Sequence, residues 1–594
     1  MCGITGYIGP REAAPIIVDS LKRLEYRGYD SCGIGILNDG DVYLERRVGR
    51  IDPFREAVLK AAPPGHVGLG HTRWATHGKA DLKNAHPHVS CDGSILAVHN
   101  GTLDNYELLR EQLEEQGHKF SSHTDSEVVP HLVEESLKRG KSLDEAVVAL
   151  RGALRGQYAL LIARKGTEEL YALRRGSPLV IGVGVGEYFP ASDIPSFLPL
   201  TKRVIYLAES NDVVLTRGGI FQLEATGTEV NRANGCHVPS TISLDASNVS
   251  KGDFDHYMIK EILDQVGVLE EASRQNLEPI WRAGEFLRAS KDIWLVGSGS
   301  SYHACFYGDY LLSTLTRKNV RAQIASELEF RQDHIRPESV VVAVSQSGET
   351  ADVVNAVGRA IERGARVIAI TASPLSQLAR MASVVVPLEC GTELSVAATK
   401  SYTAQLTVFL RLAYHLKHND AEGAQAIWRA RDGLLNLTSA AAREHTVSLA
   451  HALSSSKSIF LVGRGLSRVT AMESALKLKE VAGIHAEAFP GGEMKHGPLA
   501  LVEEGTPVVF FFDNTGRAKS EVAASEVQSR GGVPFSVGPC PLRASADHIR
   551  VEDASMATPI VQVVPMQLLS YELALLKGLD PDHPRNLAKA VTVA

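Results

Sequence analysis

The chain has 594 residues, 44% of them hydrophobic and 22% charged, with a formal net charge of -7. That length calls for about three domains, and the composition is that of an ordinary globular protein. The charge leaves no basic footprint for nucleic acid, and no apolar run approaches the ~18 residues that suggest a membrane span. The start, MCGITGYIG, lacks the charged lead, apolar run and small-residue cleavage site of a secretory signal. Seven cysteines (2, 32, 91, 236, 305, 390 and 540) are scattered and contain no CxxC spacing. They predict reduced thiols and a cytoplasmic setting rather than a disulfide framework. Asn84, His86, His88 and Cys91 crowd one segment, but no second ligand pair stands at a known zinc spacing, so no metal is expected.

Through the first 230 or so residues, alternating segments at 42–46, 67–70, 95–98 and 158–163 predict strands. Apolar spacing at 13–24 and 126–139 predicts helices, and the mixture predicts an α+β domain with layered sheets over residues 2–230. Residues 231–255 are polar and are expected to be a linker. Beyond it the texture becomes α/β: strands at 293–297, 340–344 and 367–371 alternate with helices at 302–316 and 351–363. Strand, short loop, helix, strand implies a parallel sheet. SKDIWLVGSGS at 290–300 returns as SKSIFLVGRGL at 456–466. The repeat predicts two copies of one α/β domain, at 256–425 and 426–580, followed by a tail at 581–594.

Cys2 is the first residue with a chemical reading. Removal of the initiator Met would leave its thiol beside a free α-amine, which at a pKa near 8 can serve as base for its own side chain. RGYDS (27–31), HTRWATHG (71–78), HNG (99–101) and TDSE (124–127) supply what amide hydrolysis at a thiol needs. Asn100 and the Gly101 N–H can stabilise an oxyanion. Arg73 and Asp125 suit the carboxylate and ammonium of a free amino acid.

These motifs resemble the N-terminal-nucleophile glutaminase domain of the class II glutamine amidotransferases. The resemblance implies two sheets sandwiched between helix layers, with Cys2 as nucleophile and Asn100 and Gly101 as oxyanion hole. It implies glutamine contacts from Arg27, Arg73, Thr76, His77 and Asp125, and makes Trp74 a gate for ammonia. Fold alone does not choose the acceptor.

The acceptor is written in the other half. SQSGET (345–350) joins a predicted strand to a helix and offers hydroxyls and free N–H groups to an anion, although helix capping explains Ser and Thr equally well. No Walker lysine follows, which disfavours a nucleoside triphosphate. Glu473, Lys477 and Glu480 are spaced to share one helix face. Together with TELSVAATK, LKLKE, EMKHGP and PRNLAKAVTV, these segments resemble the isomerase half of the glutamine–fructose-6-phosphate aminotransferases.

That resemblance implies two sugar-isomerase domains that bind fructose 6-phosphate, with phosphate contacts from Ser345, Gln346, Ser347 and Thr350. Ser300, Ser301, Val396 and Glu473 would lie around the sugar. It makes His496 the ring-opening residue, Lys589 the Schiff-base lysine and Glu480 the base between C1 and C2, with Lys477 assisting. It implies glutamine as nitrogen donor, no cofactor, and a homodimer in which His496 reaches the partner subunit's site. Two positions depart from the family pattern: Ser300 stands where Thr is usual, and Ala398 where Ser is usual. Amidophosphoribosyl transfer or asparagine synthesis would need a pyrophosphate loop or an ATP pyrophosphatase motif, and neither is found. A phosphosugar-sensing regulator would have no use for Cys2, Arg73, Asn100 and Asp125.

Overall fold

The computed structural model describes residues 2–589 except 39, 75–77, 210, 227–228, 235–237, 243–250 and 275. It divides into two units, residues 1–250 with 588–594, and residues 251–587. The expected tail at 581–594 is therefore split between them at Leu587.

The first unit is built on two antiparallel sheets. The eight-stranded sheet places Gly3–Ile8 between Tyr188–Ala191 and Val67–Arg73, with Ser31–Asn38 and Asp41–Val48 beyond. In the seven-stranded sheet Gly156–Arg164 lies between Ile95–Leu103 and the central strand Leu170–Arg175. Ile4, Ile8, Leu69, Leu96, Leu161 and Ala172 fill the space between the sheets. The outer face of the first sheet is covered by the helices Ala13–Arg23 and Ile51–Ala61, through residues such as Ile17, Leu21 and Phe54. Tyr106–Glu115, Val128–Lys138 and Leu143–Ala153 cover the second sheet. This is the αββα sandwich that the resemblance implied. The polar stretch expected as linker begins within the sheets, because Glu229–Asn234 and Ser240–Thr241 are strands. Edge strands carry polar side chains on their solvent face, and composition alone does not separate them from a loop.

The second unit holds two five-stranded, wholly parallel sheets of the same strand order. In the first, Asn319–Ile324, Asp292–Gly297, Ser339–Val344, Arg366–Thr371 and Val384–Pro387 lie side by side. In the second the order is His485–Pro490, Ser458–Gly463, Pro507–Phe511, Val533–Gly538 and Asp547–Arg550. The repeat seen in the sequence thus extends to topology. One apolar core draws on both sheets, with Leu295 and Val342 from one and Leu461 and Val509 from the other.

One helical stretch, Ser555–Leu576, is long and apolar enough to cross a membrane by length and composition. Counting apolar runs passed over it because Gln562, Gln567 and Ser570 interrupt it. It is mostly buried in this unit, and its amides are paired: Gln562 donates to Phe512 O at 2.9 Å, and Gln265 donates to Gln567 Oε1 at 2.8 Å.

Candidate active sites

Cys2 precedes the strand Gly3–Ile8, whose register sets Gly3 opposite Thr72 and so brings the thiol to the end of Val67–Arg73. The Trp74 N–H donates to Cys2 Sγ at 3.4 Å, and the Cys2 carbonyl accepts from Arg27 Nε at 3.4 Å. Burial pushes the Cys2 thiol up, opposed by the positive amino terminus, the Trp74 amide and Arg73. Arg27, expected among the glutamine contacts, is ion-paired to Asp193 at 2.8 Å, so it fixes the nucleophile's backbone. Gly28 permits this packing, because a Cβ there would sit 2.7 Å from the Arg73 carbonyl carbon.

Asn100 and Gly101 lie on Ile95–Leu103, paired with Ala159 and Tyr158. The Asn100 Nδ2 is buried and has no hydrogen-bond partner among the described residues. An orphaned buried donor costs about 1–3 kcal/mol unless a partner is supplied. Gly101 has φ +143°, and a Cβ would approach Gln157 O to 2.0 Å, so only glycine fits. Asp125 is buried and pinned to the same strand, accepting from the Leu103 N–H at 2.9 Å. Arg73 donates from Nη1 and Nη2 to the carbonyls of Lys79 and Gly78, at 3.0 and 3.1 Å. Trp74 meets Tyr29 edge-on at 5.7 Å, while Thr76 and His77 lie outside the described residues.

Behind these groups stands a stack of buried imidazoles that sequence reasoning left unexplained. The His71 and His86 rings lie 3.9 Å apart and nearly parallel, and His88 meets His86 at 4.3 Å. Burial lowers all three pKa values, His88 to about 3, and holds the rings neutral. Asn84 braces the neighbouring loops by accepting from the His123 N–H at 2.8 Å and donating to Lys79 O at 3.0 Å.

In the second unit, the loop 345–350 is wired internally. Ser345 Oγ lies 2.9 Å from Thr350 Oγ1 and accepts from the Gly348 N–H at 3.0 Å, while the Glu349 N–H donates to Ser347 Oγ at 3.2 Å. Gln346 O accepts from the Ala372 N–H at 3.0 Å. Thr350 stands at the N-cap of Ala351–Glu362 yet makes no capping hydrogen bond with its side chain. Capping therefore does not account for this threonine.

Glu473, Lys477 and Glu480 do share a face of the helix Ser467–Glu480, but it points inward. Lys477 Nζ lies 3.3 Å from Glu473 and 2.5 Å from Glu480, and the side chains of Lys477 and Glu473 are 0% exposed. Burial works against the Lys477 charge, and the two carboxylates more than offset it, raising its pKa. Burial likewise opposes the Glu473 charge, yet Lys477, His303 and Ser300 hold it below the usual range. Ser300 Oγ donates to Glu473 at 2.8 Å, and His303 Nδ1 lies 2.7 Å from its other oxygen. Ser301 Oγ accepts from Gln405 at 3.1 Å. His303 went unnoticed in the sequence; its one signal is a position three residues after Ser300, on the same helix face.

Val396 is buried and its N–H donates to Asp582 O at 3.2 Å. Glu261 and Glu393 organise this segment by accepting backbone N–H groups of Leu394, Thr399 and Ser401. Ala398, at the usual serine position, packs against the apolar core. His496 is exposed, and Lys589 is half-buried.

An αββα sandwich followed by duplicated parallel α/β domains defines a glutamine amidotransferase domain joined to paired sugar-isomerase domains. The pattern of the glutamine amidotransferase domain matches residues 71–199, and that of the SIS domain matches 286–414 and 452–577. The glutamine–fructose-6-phosphate aminotransferase (isomerizing) of Pyrococcus horikoshii is 38% identical, and that of Thermus thermophilus 40% identical, each over the whole of both chains. The solved C-terminal domain of glucosamine-fructose-6-phosphate aminotransferase from Francisella tularensis matches 56% of this chain and 99% of its own, at 31% identity and a TM-score of 0.52. The chain belongs to the glutamine–fructose-6-phosphate aminotransferase (isomerizing) family.

Proposed function

We propose that the chain transfers the amide nitrogen of glutamine to fructose 6-phosphate and isomerises the product to glucosamine 6-phosphate. The observation that carries this reading is the presence in one chain of the Cys2 thiol and an orphaned buried amide donor on the amidotransferase fold, and of a buried Glu–Lys–Glu set on a phosphosugar-isomerase fold.

In the glutaminase half, the Cys2 sulfur attacks the side-chain amide carbon, with the α-amine left by Met removal taking the thiol proton. The oxyanion is met by Asn100 Nδ2 and the Gly101 N–H, donors fixed by a paired strand. Collapse expels ammonia, which takes up the proton, and water then cleaves the thioester to glutamate. Asp125 holds the substrate ammonium, Arg73 its carboxylate, and Trp74 gates the ammonia. Arg27 keeps the Cys2 backbone in line.

In the sugar half, the hydroxyls and N–H groups of 345–350 hold the phosphate, with Ser301 nearby. Each bond to the charged group contributes about 1.5–3 kcal/mol. His496 opens the ring, and Lys589 condenses with the C2 carbonyl, releasing water. Ammonia displaces the lysine, and Glu480 carries a proton between C1 and C2. Lys477 is a poor candidate for the imine, because two carboxylates keep it an ammonium. Its part is to orient Glu480. No added cofactor enters this scheme. The exposure of His496 in a single chain fits a homodimer in which it serves the partner subunit's site. Six free cysteines among the described residues fit a reducing, cytoplasmic setting.

The test is product analysis after incubation with glutamine and fructose 6-phosphate alone. Stoichiometric glutamate and glucosamine 6-phosphate are expected. Glutamate without amino sugar would point to another acceptor.

A further inference from the structure

Cys91 lies in the turn between His88–Val89 and Ile95–Leu103, its side chain reaching the surface. His118, from the loop after Tyr106–Glu115, comes to it, as do His131 and Glu134 from the helix Val128–Lys138. One donor atom from each of these four residues lies within 4.8 Å of every other. Cys91 Sγ is 3.6 Å from Nδ1 of His118 and 3.6 Å from Nδ1 of His131. Glu134 Oε2 is 3.2 Å and 3.5 Å from the same two nitrogens. Around a tetrahedral zinc, with bonds of about 2.3 Å to sulfur and about 2.1 Å to nitrogen or oxygen, neighbouring ligands stand about 3.4–3.6 Å apart. The four distances lie close to that spacing, and Glu134 Oε2 also accepts from the Cys91 N–H at 3.0 Å.

One of the groups behind the four residues agrees: His118 turns Nε2 to the Glu135 carboxylate at 3.2 Å, whereas His131 Nε2 stands 3.8 Å from Glu127, beyond hydrogen-bond reach. Metal-bound imidazoles commonly give their second N–H to a carboxylate, which fixes the tautomer and leaves Nδ1 for the metal. The Lys119 N–H donates to Cys91 Sγ at 3.3 Å, and Lys138 pairs with the other Glu134 oxygen at 3.1 Å.

We propose that Cys91, His118, His131 and Glu134 form a structural zinc site. One thiolate and two imidazoles favour zinc over harder cations, and four protein ligands leave no position open for catalysis. Binding displaces the Cys91 proton to solvent. The metal ties the hairpin turn to the helix that follows Asp125. Through His131 it also bears on Glu127, whose carboxylate holds the Ser121 and Ser122 N–H groups at 2.9 and 2.7 Å. The segment bearing Asp125 is thereby anchored at both ends. The candidates that sequence reasoning set beside Cys91 take no part: His86 and His88 stack elsewhere, and Asn84 binds backbone.

The experiment uses the untagged full-length protein, purified without chelators from zinc-supplemented culture. Elemental analysis by plasma mass spectrometry should find about one zinc per chain, falling below about a tenth in Cys91→Ser and in His131→Ala but not in the control Cys540→Ser. Cobalt exchanged into the wild type should give the intense visible bands of a tetrahedral site and a thiolate-to-cobalt band in the near ultraviolet. The latter should vanish in Cys91→Ser. The cobalt spectrum needs no variant to fold, so it decides the matter alone: a spectrum without the thiolate band, or wild-type protein carrying less than about a tenth of a zinc, overturns the site. Full zinc retained in both ligand variants would place the metal elsewhere and overturn it equally.

Discussion

Gly101 and Asn100 are fixed by the backbone of one strand, so the donors proposed for the oxyanion would be in place before any substrate arrives. Catalysis gains most from donors that need not reorganise. Asn100→Ala should therefore lower kcat for glutamine hydrolysis about 100- to 1,000-fold with little change in KM. Steady-state glutaminase kinetics check this, and an unchanged kcat would remove Asn100 from the oxyanion hole. Cys2→Ala should abolish hydrolysis while fructose 6-phosphate binding by calorimetry stays intact, because the loop 345–350 and the Glu473, Lys477 and Glu480 set lie in the other unit. At this scale the candidate site is legible only where a short motif sets reactive side chains beside glycine. Cys2, Asn100 and Arg73 stood out because their short motifs combine chemistry with glycine. Asp193 and His303 did not, since a single Asp or His carries no mark of a partner more than a hundred residues away.

The helix Ser467–Glu480 shows where spacing informs and where it stops. The intervals between Glu473, Lys477 and Glu480 placed them on one face, as found. Whether that face meets water depends on what packs over it, and here Ser300 and His303 do. A surface Glu–Lys pair would be worth a few tenths of a kcal/mol. Breaking a buried one typically costs about 3–5 kcal/mol. Glu473→Gln should accordingly destabilise the second unit by about that amount at pH 7. Its carboxyl is held below the ordinary range in the folded state. The stability it supplies is present above the unfolded pKa of about 4.3 and is lost as pH falls through the folded value. The gap between wild type and variant, followed by urea unfolding from pH 7 down to pH 4, should narrow only at the acid end. A gap independent of pH would mean that packing and not charge is lost. The loop 345–350 invites a parallel comparison. Thr350→Ser keeps the hydroxyl and should bind fructose 6-phosphate near normally, whereas Thr350→Ala should bind about 10-fold or more weakly. Equal binding by both, with lowered thermal stability, would return Thr350 to a structural role.

Duplication was legible over the whole molecule because buried parallel strands of two copies keep nearly the same letters, SKDIWLVGSGS and SKSIFLVGRGL. The end of the first unit was less so, since edge strands and linkers share a polar composition. Two expectations reach beyond the single chain or to its end. In the proposed homodimer, co-expressed His496→Ala and Lys589→Arg chains should regain about a quarter of wild-type synthesis, because half the dimers are mixed and each mixed dimer has one intact site. No recovery would confine His496 to its own chain's site. The second concerns the residues after Arg585. A free terminal segment normally tolerates change, yet this one carries Leu587, Ala588, Val591 and Val593, an apolar set with no purpose in water. Lys589 stands among them and is half-buried, whereas Lys477 lies between two carboxylates that favour its charged, non-nucleophilic form. Lys495 is engaged by Glu526 at 2.6 Å. Deleting the residues after Arg585 should therefore abolish amino-sugar synthesis and leave glutamine hydrolysis at Cys2 running uncoupled. Lys589→Arg should be as inactive in synthesis, since a guanidinium keeps the charge but does not form the imine. Borohydride reduction in the presence of fructose 6-phosphate, followed by peptide mass mapping, should locate the sugar on Lys589 in the wild type and nowhere in the arginine variant. A reduced adduct on Lys477 or Lys495 would move the imine to that lysine and leave the terminal segment a structural part.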